Sequence, residues 1–252
     1  MAKNFLIERL KDTFKDKDSF SRKDLLNFYR QFEPNLKETT FRWRIYHLKE
    51  KKIISSLSKV FFSLRYRPTF TPEINETDRR IYSKIEKQFP QLKQCIWSTR
   101  IINELMLHLP GKFITVIEVE KDALEPVFHY LQNINVKNVY LQPDEKEIER
   151  YLYETEGAIV IKSLISKAPI QKVNNVMAPT IEKILVDLYC DRKLFNVFQG
   201  SELVHIINNA YDRYPIDFTK FFNYAKRRKG KKTELMEFLS DKTNLPKNIF
   251  ND

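Results

Sequence analysis

The sequence predicts a mixed α/β fold in two units: three helices and a hairpin over residues 1–68, then a larger α/β domain with a helical C-terminus over residues 81–252. Three observations carry this expectation. Helical periodicity recurs three times before residue 52, and short β-branched runs alternate with amphipathic stretches between residues 94 and 164. The third observation is charge: residues 1–68 hold 17 Lys and Arg against 8 Asp and Glu, a net +9 of the chain's +11, whereas residues 69–252 hold 27 against 25.

At 252 residues the chain has room for two cores, and 13% aromatic content argues against extensive disorder. No apolar run approaches the roughly 20 residues needed to span a bilayer. Lys3, Glu8, Arg9 and Lys11 interrupt anything resembling a signal-peptide core, so a cytoplasmic protein without a membrane partner is expected. Cys95 and Cys190 lack metal-ligand spacing and read as buried thiols, and His47, His108, His129 and His205 are too scattered to suggest a zinc site.

Phe5, Leu6, Leu10 and Phe14 have helical spacing and predict a first helix near 4–15. Ser21 with Asp24 forms a capping-box pattern flanked by Phe20 and Leu25, so a second helix follows, with Leu25, Leu26, Tyr29 and Phe32 as its buried stripe. Pro34 and Asn35 break the chain ahead of a third helix from about residue 36 to 51, in the stretch KETTFRWRIYHLKEKKII. Phe41, Ile45 and Leu48 fall on one stripe of that helix, leaving Thr39, Thr40, Trp43, Tyr46 and His47 opposite, with Arg42 and Arg44 on the flanks. IISSLSKVFFSLRYR then reads as two strands around a turn at Leu57, Ser58 and Lys59, with Val60, Phe62, Leu64 and Tyr66 facing in and Phe61, Ser63, Arg65 and Arg67 facing out.

Three helices followed by a hairpin is the order of a winged helix-turn-helix. A localised cationic surplus is the electrostatic footprint of nucleic-acid binding. The expected partner is double-stranded DNA, with Thr39, Thr40, Trp43 and His47 as candidates for base contact and Lys37, Arg42, Arg44, Lys59 and Arg65 for phosphate contact. The competing reading is a winged helix used only for protein contacts. For Trp43 two readings stand side by side, stacking on nucleic acid and packing against the second unit.

RPTFTPEINETDRR, with two prolines and no periodicity, predicts a linker at 69–80. Beyond it, strands are expected at 94–99, 112–120, 138–142 and 158–164, and helices at 79–89, 99–109, 121–134 and 144–153, giving a sheet that is at least partly parallel. PTIEKILVDLYCDR, ELVHIINNAYDRY and DFTKFFNYAKRRKGKKTELMEFLS make the C-terminal end helical. Four dispersed glycines assemble neither a P-loop nor a dinucleotide fingerprint.

Glu118 and Glu120 alternate in VIEVEK, which raises a metal-dependent nuclease as an alternative. Lys121 follows directly without the spacer such enzymes use, and no Gly-Ser or Gly-Gly turn precedes, so the two carboxylates read as solvent-facing at a strand's end. No catalytic residue, metal site or cofactor is assigned. The run KRRKGKK supplies Lys226, Arg227, Arg228, Lys229, Lys231 and Lys232 as a solvated helix end, a second phosphate contact or a docking surface for an acidic partner.

The order of parts resembles the antitoxins of AbiE-type (type IV) toxin-antitoxin systems and related phage-defence regulators. The closest local similarity is APTIEKILVDLYCDR, residues 178–192, where Pro179, Thr180, Glu182, Lys183, Leu185, Val186 and Asp187 resemble a Pro-Glu-(Arg/Lys)-Thr-Leu-Val-Asp stretch of that family. The resemblance implies a non-enzymatic protein that binds its own promoter through the first unit. It also implies a second unit that regulates a nucleotidyltransferase-like toxin. A protein-interaction adaptor is the third alternative.

Overall fold

The computed structural model describes residues 2–228 and 230–250 and has a mixed α/β architecture. The chain begins with α1 (Ala2–Phe14), β1 (Phe20–Ser21), α2 (Arg22–Arg30), α3 (Glu38–Glu50), β2 (Ser55–Ser56) and β3 (Phe61–Ser63). The three short strands form one antiparallel sheet in the order β1-β3-β2. α2 starts where expected because Ser21 Oγ accepts the Asp24 N–H at 3.0 Å while the Asp24 carboxylate accepts from the Ser21 N–H at 2.9 Å. Leu10, Phe14, Leu25, Phe28, Phe41, Ile45 and Leu48 close one core around Phe20 and Phe62.

Phe5 and Phe32 are among the expected apolar positions that lie outside that core. Phe5 is exposed, and Phe32 gives way to Phe28, which stands a full turn nearer the helix start and meets Phe14. α2 ends at Arg30, so Phe32 follows its last turn and cannot continue the buried stripe.

The second unit runs through α4 (Glu76–Gln88), β4 (Gln94–Ser98), β5 (Thr115–Val119), α5 (Leu124–Asn133), β6 (Val139–Leu141), α6 (Glu145–Glu147), β7 (Ile159–Ser163), β8 (Ile170–Val173) and β9 (Val176–Pro179). Helices α7 (Ile181–Cys190), α8 (Ser201–Arg213), α9 (Phe218–Arg227) and α10 (Lys232–Lys242) follow. The main sheet has the order β4-β5-β7-β6; β4 is antiparallel to β5, whereas β5, β7 and β6 run parallel. Each of the four strands expected between 94 and 164 is present with narrower ends.

Period-two alternation sorts the strand residues between two cores. Ile96, Ile117, Val119, Ile159 and Ile161 face the layer of α4 and α5, while Cys95, Trp97, Val116 and Val160 face the C-terminal helices. The expected helix at 99–109 is instead a 3-10 helix over Thr99–Leu105, and 144–153 is a short helix that widens into a π turn at Ile148–Leu152. The β8–β9 hairpin was not anticipated. Its turn places Asn174 at φ +47° and Asn175 at φ +67°, the doubly left-handed pattern of a type I′ turn that Asn tolerates. The long C-terminal helical stretch breaks into α9 and α10 at Gly230, whose φ of +72° ends the helix.

Residues 69–80 are not a free tether. Phe70 is buried and meets Tyr214 edge-on at 5.1 Å, Ile74 joins the α4–α5 core, and Asp78 is buried inside α4. The hairpin turn is also seated on the second unit. Leu57 is buried in its core, the Leu57 carbonyl accepts the Phe218 N–H at 2.8 Å, and the Lys59 N–H reaches Thr219 Oγ1 at 3.3 Å. The strand faces therefore depart from simple alternation: Tyr66 is exposed, while Phe61 is half-buried and Arg67 is buried, its guanidinium 4.5 Å from the Tyr211 ring centroid. No helix among the described residues is long and apolar enough to cross a membrane.

Candidate nucleic-acid interface

α3 is anchored as its stripe requires, with Phe41, Ile45 and Leu48 buried. Lys37, Thr39, Thr40, Arg42, Trp43 and Tyr46 are exposed on its other sides and His47 is half-buried, so the structure brings Thr39, Thr40, Trp43 and His47 together on one helix. The Trp43 side chain is half-exposed and meets the His47 ring edge-on at 4.3 Å. Glu50 receives the Tyr46 hydroxyl at 2.8 Å and stands 3.6 Å from His47 Nδ1, which fixes the last turn of this face.

The two flanking arginines are not equivalent. Arg42 projects into solvent and makes an i,i+4 contact with Glu38 at 3.3 Å, a pair worth only a few tenths of a kcal/mol at the surface. Arg44 is held: it ion-pairs with Glu33 at 2.6 Å, lies 4.8 Å from the Tyr29 ring centroid and leaves its side chain 19% exposed. Arg65, expected to reach phosphate, pairs with Asp212 of α8 at 2.9 Å. Lys59 has an exposed side chain, but its backbone is fixed on α9. Arg42 and Lys37 are thus the phosphate candidates adjoining the exposed helix face, while Arg44, Lys59 and Arg65 are tied to α2, α9 and α8.

A second charged constellation lies inside the larger unit. Glu118 is not at the solvent face. Alternation along β5 turns it, with Val116, toward α7, where it is buried and ion-paired with Lys183. Lys183 also donates to Asp187 at 2.5 Å, and Asp187 accepts the Tyr224 hydroxyl at 2.9 Å. Burial alone would raise the Asp187 carboxyl, yet the Lys183 ammonium, with Arg228 and Lys162, outweighs it and holds the group below its usual value. Burial would likewise lower the Lys183 ammonium, and Asp187 and Glu118 together drive it well above. Glu120 is exposed and paired with Lys93 at 3.5 Å, so the two carboxylates of VIEVEK do not converge. Among the described residues no group of three His, Cys, Asp or Glu side chains is arranged to hold a metal ion.

The basic run of residues 226–232 divides. Arg228 is largely buried, 3.4 Å from Asp187 and 3.7 Å from Asp191, rather than solvated. Arg227 reaches Ser166 Oγ at 3.3 Å, Lys231 pairs with Glu234 at 2.6 Å, Lys226 is exposed, and Lys232 lies 5.8 Å from the Phe222 ring centroid. Lys229 lies outside the described residues. Burial pushes the Cys190 thiol up to about 11, so it stays protonated near neutral pH, and both cysteines are free. The charged network was hidden from sequence reasoning because its members come from β5, β7, α7 and the end of α9. The one local signal is the i,i+4 pair of Lys183 and Asp187 in a largely apolar helix.

Among curated proteins, none matches the chain. A family model described as a family of unknown function (DUF6577) matches residues 40–245. That span starts within α3 and takes in the hairpin, the packed segment after it and nearly all of the second unit. The chain belongs to the DUF6577 family.

Proposed function

We propose that this protein is a DNA-binding transcriptional regulator that reads its operator through α3. In keeping with the antitoxin resemblance, it would repress its own promoter, while the second unit acts on a nucleotidyltransferase-like toxin. One observation carries the reading: α3 is fixed from behind by Phe41, Ile45 and Leu48 while Thr39, Thr40, Arg42 and Trp43 stand exposed on its other sides. The order α1, β1, α2, α3, β2, β3, with the sheet order β1-β3-β2, supports a winged helix-turn-helix. So does the net +9 of residues 1–68. A helix presented this way fits a major groove, where hydroxyl and ring edges meet bases and flanking cations meet phosphate.

The test is fluorescence anisotropy with a duplex from the DNA upstream of the gene, set against a scrambled duplex of equal length. The upstream duplex should bind more tightly at every salt concentration, and affinity should fall steeply between about 50 and 200 mM salt. Equal binding of both duplexes, or no retention at low salt, removes the regulator reading.

A specific observation favours a second reading, a protein-contact module. A small hollow of about 190 Å³ opens between α1 and α3, with Leu6, Ile7, Trp43 and Leu48 in its walls. Partner binding through these apolar walls would depend on salt far less than binding to phosphate.

A further inference from the structure

The cleft at the carboxyl ends of β6 and β7 is not used by α3 or by DNA reading. We propose that it is an oxyanion site for a free phosphorylated small molecule, with Arg228 and Lys162 as its floor and Arg227 and Lys231 on its rim. In open sheets with parallel strands, ligands bind outside the carboxyl ends of those strands. Here the cleft encloses about 710 Å³, within the range of small-molecule sites.

The floor is built rather than incidental. The side chains of Lys162 and Arg228 are each only 12% exposed, and both lean on Asp191. Arg228 Nε stands 3.4 Å from Asp187 Oδ1 and its Nη2 stands 3.7 Å from Asp191 Oδ2, so both ion pairs are long. A guanidinium carries five N–H donors, and two long ion pairs leave it donor capacity that a phosphate oxygen in the cleft can take up.

The carboxylates in the wall are already engaged. Asp144 accepts the Glu147 N–H at 2.8 Å, Glu145 pairs with Lys193 at 2.6 Å, and Asp191 pairs with Lys162. Gln142, at the end of β6, is held at φ +44°, a left-handed conformation that a non-glycine residue rarely adopts and that tends to mark functional sites. An adjoining depression lined by Lys167, Lys220, Lys226 and Arg227 extends the positive field. Among the described residues no aromatic ring lines the main cleft, so recognition rests on the phosphate groups and not on stacking with a base.

This site does not depend on the DNA-binding reading, and calorimetry on the full chain tests it. Inorganic pyrophosphate and ATP should bind with similar affinity. The double variant Arg227→Gln, Lys231→Gln, both on the rim, should weaken both by roughly tenfold or more with the circular dichroism spectrum unchanged. Arg42→Ala on α3 should leave both affinities as they were, which separates this site from any DNA contact. A single strand carrying a 5′-phosphate distinguishes a nucleic-acid end from a free metabolite: the proposal expects it to bind more weakly than pyrophosphate. Three results would overturn the assignment: no binding of pyrophosphate or ATP up to millimolar concentration, binding unchanged in the rim variant, or tighter binding of the 5′-phosphorylated strand.

Discussion

The Phe218 N–H donates to the Leu57 carbonyl at 2.8 Å, joining the first turn of α9 to the tip of the N-terminal hairpin. The contact lies beside a fully buried Leu57 side chain, so the hairpin is seated on the second unit rather than projecting from it.

Leu57→Ala should therefore destabilise the protein by about 2–5 kcal/mol, the range for large-to-small changes in a packed core. Urea denaturation followed by tryptophan fluorescence and by far-ultraviolet circular dichroism checks this. An unchanged midpoint would mean that the hairpin tip contributes nothing to the fold.

Arg42 and Arg44 should separate in their effects. Replacing the solvent-exposed Arg42 by Ala should lower the slope of log affinity against log salt by about 0.9, one phosphate contact, with no change in melting temperature. Arg44→Ala should lower stability by about 1–2 kcal/mol, since it removes the Glu33 pair and the stack on Tyr29. Thermal melts alongside binding titrations distinguish the two residues.

Lys183→Ala leaves Glu118 and Asp187 buried without their shared cation, and should cost about 3–5 kcal/mol. Adding Glu118→Gln to it should recover part of that loss, because one stranded charge disappears. Chemical denaturation of the two variants is the measurement.

The same network fixes a pH dependence. The Asp187 carboxyl titrates below its ordinary value of 3.8 in the folded chain, so the unfolded chain takes up a proton first as pH falls. Its contribution is complete above the ordinary value and is lost as pH drops through the folded value. Lys183, raised above its ordinary 10.5, contributes fully below that value and loses its effect as pH rises through the folded one. The stability penalty of Asp187→Asn should accordingly be large at neutral pH and shrink on acidification below about pH 4. Melting temperatures of wild type and variant across pH 3–8 would show the two curves converging at the acid end; parallel curves would rule the linkage out.

Legibility followed the range of the interactions. The α3 stripe could be read because Phe41, Ile45 and Leu48 repeat at helical spacing, and the Ser21–Asp24 box because it is complete within four residues. Strands β5 and β7 announced themselves through consecutive β-branched residues flanked by turns. Strand alternation is local, so it places Arg65 outward, as it is, but misses that Arg67 turns in against Tyr211 and that Arg65 pairs with Asp212, both partners lying on α8. Glu118 was read as solvent-facing for the same reason, since its cation is 65 residues away. The stretch expected as a linker is irregular up to the start of α4, but composition marks only that break in regular structure and says nothing about whether Phe70 finds a cavity to fill.

The buried ion cluster also limits how the sheet can assemble. Sliding β5 by one residue would turn Glu118 to the opposite layer, among Ile117's isoleucine and valine neighbours, and leave Lys183 facing hydrocarbon. Alignments that greasy contacts alone would tolerate are thereby made costly, so the match of strand to helix is set by charge as well as by apolar fit.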